Sequence, residues 1–222
     1  MEEHIVKILN AEYVTHNVKR FRVEKPKGYS FKPGQATEAA VNKPEFKNQN
    51  RPFTFTSLND HPELEFTIKI YKAHDGVTKA IGELKEGDEI IIHDVWGAIN
   101  YKGPGVFFAG GAGVTPFIAI FRQLFKDGKI SGNFLYFSNK TEKDIILKDE
   151  FEKMLGSNFY NTITRETSTK YDKRRIDESF IKEKVKNFNQ NFYVCGPDKF
   201  VAEINKTLKI LGAKPDSVVF EQ

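Results

Sequence analysis

Beyond residue 104, short apolar runs alternate with amphipathic segments, and this alternation constrains the chain more than any other feature. The runs are GVFFAG (105–110), NFLYFS (133–138), NFYNTIT (158–164), NFYVCG (191–196) and SVVF (217–220). Helical patterns occupy the stretches near 116–125, 144–155, 177–185 and 199–211. A short apolar run between helical segments reads as a strand covered on both faces. Five such strands joined by four helices predict a five-stranded parallel sheet with helices on both sides, an α/β domain.

The first hundred residues have a different pattern. LEFTIKIY (64–71) alternates cleanly, with Leu64, Phe66, Ile68 and Ile70 on one face and Glu65, Thr67 and Lys69 on the other. EIIIHDVWG (89–97) is a second strand, and IVKILNAEYV and ATEAAV (36–41) are weaker ones. Gly34, Gly76, Gly87 and several prolines separate them. The pattern predicts a small antiparallel β-barrel or sandwich with one short helix at 77–84, opened by Asp75 and Gly76. The glycine- and proline-rich YKGPG (101–105) marks the junction, so two domains are expected, 1–102 and 103–222.

Composition narrows the function classes. The hydrophobic fraction of 39% and charged fraction of 29% suit a globular protein, and a chain of 222 residues can bury two cores. MEEHIVKILN lacks the make-up of a secretory signal, and the longest apolar stretch is broken by Gly110, Gly111, Gly113 and Pro116, so no membrane span is expected. The single cysteine, Cys195, excludes an internal disulfide and a cysteine-ligated iron–sulfur cluster within the chain, and it suits the cytoplasm. A net charge of +4, with basic and acidic residues interspersed, gives no nucleic-acid footprint, and no metal site is expected.

Three stretches carry possible chemistry. RPFTFTSL (51–58) sets Arg51 beside Pro52, then two rings and three hydroxyls. Arg51 reads either as a phosphate partner or as a solvated edge residue above a core strand. FFAGGAGVTPF carries Gly111-x-Gly113-x-x-Pro116 between a strand and a helix. Glycines there let backbone approach a ligand beyond the carboxyl ends of the strands, but a tight turn needs small residues too. Pro116 fits a first helical turn. No acid stands where a ribose of NAD would bind, and the next strand ends Ser138-Asn139-Lys140. CGPDKF (195–200) repeats the strand–turn–helix arrangement. Cys195 with no neighbouring base is no nucleophile, and a lone thiol is commonly core packing.

In this order, Arg-x-aromatic-Thr, Gly-x-Thr, Gly-x-Gly-x-x-Pro and Cys-Gly-Pro resemble the ferredoxin–NADP reductase family over nearly the whole chain, and most of all its compact, stand-alone flavodoxin-reductase-like members. The resemblance implies an FAD-binding β-barrel followed by an NAD(P)-binding domain. It implies that Arg51, after which Pro52 follows, pairs with an FAD phosphate. Phe53 would stack on the flavin where many members have Tyr, and Thr54 would sit near flavin N5. The strand Ile68-Lys69-Ile70 would line the ribityl and phosphate, and Gly76-Val77-Thr78 would hold the pyrophosphate, which favours FAD over FMN.

On the other domain, the resemblance sets Gly111, Gly113, Thr115 and Pro116, with Cys195, Gly196 and Pro197, around the nicotinamide. Thr164-Arg165 resemble the pair that grips the 2′-phosphate of NADP, and Arg175-Ile176 resemble an Arg-Ile that adds a second arginine. Arg174 replaces the usual glycine there, and a basic cluster of this kind (Lys170, Lys173, Arg174, Arg175) is also an ordinary solvated loop. Glu221 would lie near the flavin edge, while Phe220 reads as the last core residue rather than a flavin cover. The implied activity is hydride transfer from NADPH, with NAD possible, to FAD. Single electrons would then go to an acidic flavodoxin or ferredoxin, with Thr54, Cys195 and Glu221 as catalytic residues, in a monomer. Alternatives are an NADH-driven reductase of free flavin, ferric chelate or an oxygenase partner, and an electron-relay subunit of a larger complex.

Overall fold

The computed structural model describes residues 2–71, 76–97, 99–167, 170–214 and 216–217. Its first half is β1 (His4–Thr15), β2 (Val18–Glu24), β3 (Ala36–Val41), β4 (Arg51–Thr54), β5 (Glu63–Lys69), α1 (Val77–Glu83) and β6 (Glu89–Trp96). These strands form one antiparallel sheet in the order β4-β3-β6-β1-β2-β5. A single antiparallel bridge, Phe55 to Phe66, joins the continuation of β4 to β5 at the other edge. Phe31, Phe55 and Phe66 pack beneath it with Val6, Ile8 and Val23.

β2 was not legible in the sequence. Val18, Lys19, Phe21 and Val23 are all buried, so the alternation slips at its start, and its polar Lys19 goes inward. The Lys19 ammonium is satisfied there by the carbonyls of Gly82 (3.1 Å) and Leu84 (2.6 Å) at the end of α1. Burial lowers its pKa, and Asp88 opposes that.

The second half runs β7 (Gly105–Gly110), α2 (Thr115–Lys126), β8 (Phe134–Asn139), α3 (Lys148–Leu155), β9 (Phe159–Ile163), α4 (Glu178–Lys184), β10 (Asn191–Cys195), α5 (Asp198–Ile210) and β11 (Asp216–Ser217). Four strands make the parallel sheet, and the two-residue β11 extends it beside β10, giving the order β11-β10-β7-β8-β9. Of the expected strand 217–220, residues 218–220 lie outside the described residues, as does Glu221. One face of the sheet packs α2 and α3 through Phe107, Phe117, Phe121 and Phe151. The other packs α4 and α5 through Phe108, Phe180 and Phe192. The helix expected from 144 begins only at Lys148. Ile145 and Ile146 are core residues, and Leu147 at φ 49 interrupts the helical path.

The junction is fastened rather than loose. The Tyr193 hydroxyl accepts from the Lys102 N–H (2.9 Å) and donates to the Gly103 carbonyl (2.8 Å). Among the described residues no helix is long and apolar enough to cross a membrane.

Candidate active site

A cleft of about 940 Å³ opens between the two sheets, at the upper end of the ~300–1,000 Å³ usual for small-molecule sites. One wall is the antiparallel sheet: Arg51, Pro52, Phe53 and Thr54 of β4, Thr67, Ile68 and Lys69 of β5, and Gly76, Val77 and Thr78 at the start of α1. The other is the carboxyl end of the parallel sheet: Gly111, Gly113 and Thr115 after β7, Asn139 and Lys140 after β8, Thr164 after β9, and Cys195, Gly196 and Pro197 after β10. Residues far apart in sequence are thus gathered where an α/β sheet binds ligands.

The walls touch at one polar point. The hydroxyls of Thr54 and Thr115 are hydrogen-bonded across the cleft at 3.2 Å. Thr54 is buried and Phe53 half-buried, while Arg51 is exposed at the lip with its guanidinium donating to the Asn50 carbonyl (2.8 Å). Behind the second wall, Gly113 lies so close to β10 that an added Cβ would stand 2.5 Å from the Cys195 carbonyl oxygen. Gly111 has φ +53, a left-handed conformation that favours glycine. Cys195 is buried in the core face of the sheet and lines the cleft floor.

Four expected site residues do not line the cleft. Ile70 is buried in the first core beneath Gly82, and Pro116 is buried in the first turn of α2. Arg165 and Arg175 are exposed, and among the described residues neither has an ion pair. The neighbouring basic residues are differently placed. Arg174 is held by Asp172 (2.7 Å) and Glu183 (2.6 Å). The hydrogen bond from Arg174 holds the Asp172 carboxyl down at about 2, with Tyr160 adding to it. Lys170 and Lys148 gather on Glu142, whose carboxyl is lowered to about 2 chiefly by the Tyr171 hydroxyl.

Asn139 is the residue that sequence reasoning passed over. It is 4% exposed, it lines the cleft, and among the described residues neither side-chain amide atom has a hydrogen-bond partner. Its position at a strand end, beside the loop that returns to the helix, was the available signal. An unsatisfied buried amide facing a cleft is what a polar ligand would satisfy.

Such an arrangement, a side-chain-rich antiparallel wall facing glycine loops at the end of a parallel sheet, is that of a two-domain nucleotide-binding protein. Residues 6–101 match the Oxidoreductase FAD-binding domain family, and residues 107–206 match the Oxidoreductase NAD-binding domain family. The chain belongs to the ferredoxin-reductase-like family that joins these two domains. It is 26% identical over 222 residues to the ferredoxin–NAD(P)+ reductase component of the naphthalene 1,2-dioxygenase system of Pseudomonas putida, covering 95% of this chain and 66% of that protein. It is 28% identical over 190 residues to NADH-cytochrome b5 reductase 1 of Bos taurus, covering 69% of this chain and 61% of that one. The chain therefore spans less than two thirds of the length of these curated relatives. Its fold superposes on a ferredoxin NADP+ reductase of Neisseria gonorrhoeae, solved with FAD and NADP, with a TM-score of 0.86 at 19% identity over the whole of both chains.

The residues present fit FAD and a nicotinamide nucleotide. The lip carries an exposed guanidinium, the second wall includes backbone that a Cβ at Gly113 would obstruct, and the floor holds an amide unsatisfied among the described residues.

Proposed function

We propose that this chain is an NAD(P)H-dependent flavoprotein reductase, preferring NADPH, that passes electrons singly to a small acidic redox protein such as flavodoxin or ferredoxin. The observation that carries the reading is the Thr54–Thr115 contact, which brings one hydroxyl of each wall to the same point of the cleft. Bound flavin supplies hydride acceptance and one-electron release, chemistry that no side chain here possesses. The chain's own residues bind and orient. Arg51 would pair with the FAD phosphates, Phe53 would stack on the ring system, and Ile68 and Lys69 with Gly76, Val77 and Thr78 would hold the tail. Thr54 would offer its hydroxyl to the flavin, and Thr115, Cys195, Gly196 and Pro197 would shape the nicotinamide pocket. Alignment of the two rings is the main contribution to rate.

Arg165 and Arg175, exposed and without ion pairs among the described residues, suit the 2′-phosphate of NADP. The domains divide at 102/103, and the Phe55–Phe66 bridge supports reading the first sheet as a closed barrel. The single buried thiol suits a reducing cytoplasm, and we take the chain as a monomer.

A second reading, an NADH-driven reductase serving an oxygenase, is favoured by Arg174 being committed to Asp172 and Glu183 and by the likeness to the reductase component of the Pseudomonas dioxygenase system. The purified protein is expected to be yellow and to reduce an artificial dye faster with NADPH than with NADH. Equal or inverted rates select the second reading, and a colourless protein that cannot be reconstituted with FAD overturns both.

A further inference from the structure

Three hydroxyls follow the arginine of β4, yet only Thr54 lines the cleft. Thr56 and Ser57 are buried behind it and serve a different purpose. The Thr56 hydroxyl donates to the Glu65 carboxylate (2.7 Å), the Glu65 N–H donates to the Ser57 hydroxyl (3.0 Å), and the Thr56 N–H donates to the Glu65 carbonyl (2.8 Å). Into this knot comes Arg122 of α2, from the other domain. Its guanidinium donates to the Thr56 carbonyl (2.7 Å), to Glu65 (2.6 Å), and through two nitrogens to Glu150 of α3 (2.5 and 2.9 Å).

The geometry gives this node a direction. Arg122 is seven residues, two helical turns, beyond Thr115, so both stand on the face of α2 turned to the first sheet. Thr54 ends β4, and Thr56 lies two residues on, past the Phe55 bridge. The helical rise of ~10.5 Å between Thr115 and Arg122 exceeds the ~6.8 Å between the two threonines, and a long side chain leaning toward the helix N-terminus closes that gap. Further along, Lys126 of α2 pairs with Asp60. Thr115, Arg122 and Lys126 of one helix are thus tied, in that order, to Thr54, Thr56 and Asp60 of one chain segment. Lys126–Asp60 is exposed and weak, whereas the Arg122 side chain is 17% and the Glu65 side chain 13% exposed. Burial works against the Arg122 charge, but Glu150 and Glu65 outweigh it and raise its pKa.

We propose that Arg122 is a positioning residue, clasping α2 to the Thr56–Glu65 knot so that Thr115 is held against Thr54 and the gap in which the two rings meet has a set width. The inference rests on the reading of the cleft given above. It assigns Arg122 no contact with substrate or cofactor. Its effect passes through the register between helix and strand, to which ring-to-ring transfer is sensitive.

The test compares the parent with Arg122→Met, which keeps the apolar stem, Arg122→Lys, which keeps the charge, and Glu65→Gln. Anaerobic stopped-flow with saturating nicotinamide nucleotide reads the limiting rate of flavin reduction, and its concentration dependence reads nucleotide affinity. The limiting rate is expected to fall about 10- to 100-fold in Arg122→Met with affinity changed less than about 3-fold, and Arg122→Lys recovers part of the loss. Hydrogen–deuterium exchange is expected to quicken at 54–57 and at 113–122 together, in FAD-loaded and FAD-free protein alike. A parental limiting rate, or parental exchange at both segments, in folded Arg122→Met overturns the clasp. If that variant does not fold, Glu65→Gln decides on the same two readouts. A parent that holds no flavin overturns the reading of the cleft instead, and the exchange comparison still decides the clasp.

Discussion

The two walls of the cleft are built by opposite means. The antiparallel wall presents side chains: a guanidinium, a ring, a hydroxyl and an ammonium on β4 and β5. The parallel wall presents mainly backbone, with Gly111, Gly113 and Gly196 where side chains would project. Strands offer alternate residues to one face, so a strand wall can be changed one function at a time. A glycine loop works by what it lacks: an added Cβ at Gly113 would meet the main chain of Cys195 and Gly196, and one at Gly196 that of Gly110. The first wall should therefore respond to substitution in graded steps and the second abruptly.

Gly113→Ala is the most severe way to break that contrast. Its Cβ would sit 2.5 Å from the backbone of Cys195 and Gly196, so the loop must move, and reduction of flavin by nucleotide is expected to fall by roughly 100-fold while flavin stays bound. Stopped-flow and the visible spectrum together check this, and a rate within a factor of two of the parent would erase the distinction between the walls. Arg165→Ala comes next. Loss of one charge-assisted contact to a phosphate, worth about 1.5–3 kcal/mol, should raise KM for NADPH by about 10- to 100-fold and leave NADH unaffected. Steady-state dye reduction with both nucleotides measures it. If both change alike, the residue does not read the 2′-phosphate.

Thr54→Val tests the graded wall. Removing one hydroxyl while keeping the shape should slow flavin reduction about 10-fold with flavin retained, the size of a single hydrogen bond. Reduction at the parental rate would remove the role given to Thr54. The smallest effect concerns pH. The Asp172 carboxyl, lowered to about 2 by Arg174, adds stability that is fully present above the unfolded value of 3.8 and is lost as pH falls through about 2. Thermal midpoints of the parent and Asp172→Asn should differ at pH 6 and converge between pH 4 and 2. A gap that stays constant would show that the Asp172–Arg174 pair does not act through charge.

Legibility followed the range of the interaction. GVFFAG coincides with β7 because burial on both faces writes an unbroken apolar run, and ATEAAV coincides with β3 although Thr37 and Glu38 interrupt its small apolar residues. The glycine loop and Cys-Gly-Pro were legible because a backbone wall leaves glycine and proline as its trace. β2 was missed where burial of Lys19 breaks the alternation, a choice that makes sense only once the end of α1 is beside it. The hydroxyls of RPFTFTSL could be seen but not sorted. The Thr54 hydroxyl meets Thr115 across the cleft and the Thr56 hydroxyl meets Glu65 behind it, and nothing local to the strand distinguishes those two destinations.

The amino-acid order by itself determined the two kinds of sheet, their junction and the loops that end the parallel strands, because period and turn chemistry act over a few residues. Only the tertiary structure decided that Thr54 meets Thr115, that Arg122 closes on Glu65 and Glu150, that Arg174 is committed while Arg165 stays exposed, and that Asn139 is left unsatisfied. Those outcomes depend on how separate elements are oriented in space, and a hydrogen bond formed across a cleft leaves no periodic mark in either of the segments that make it.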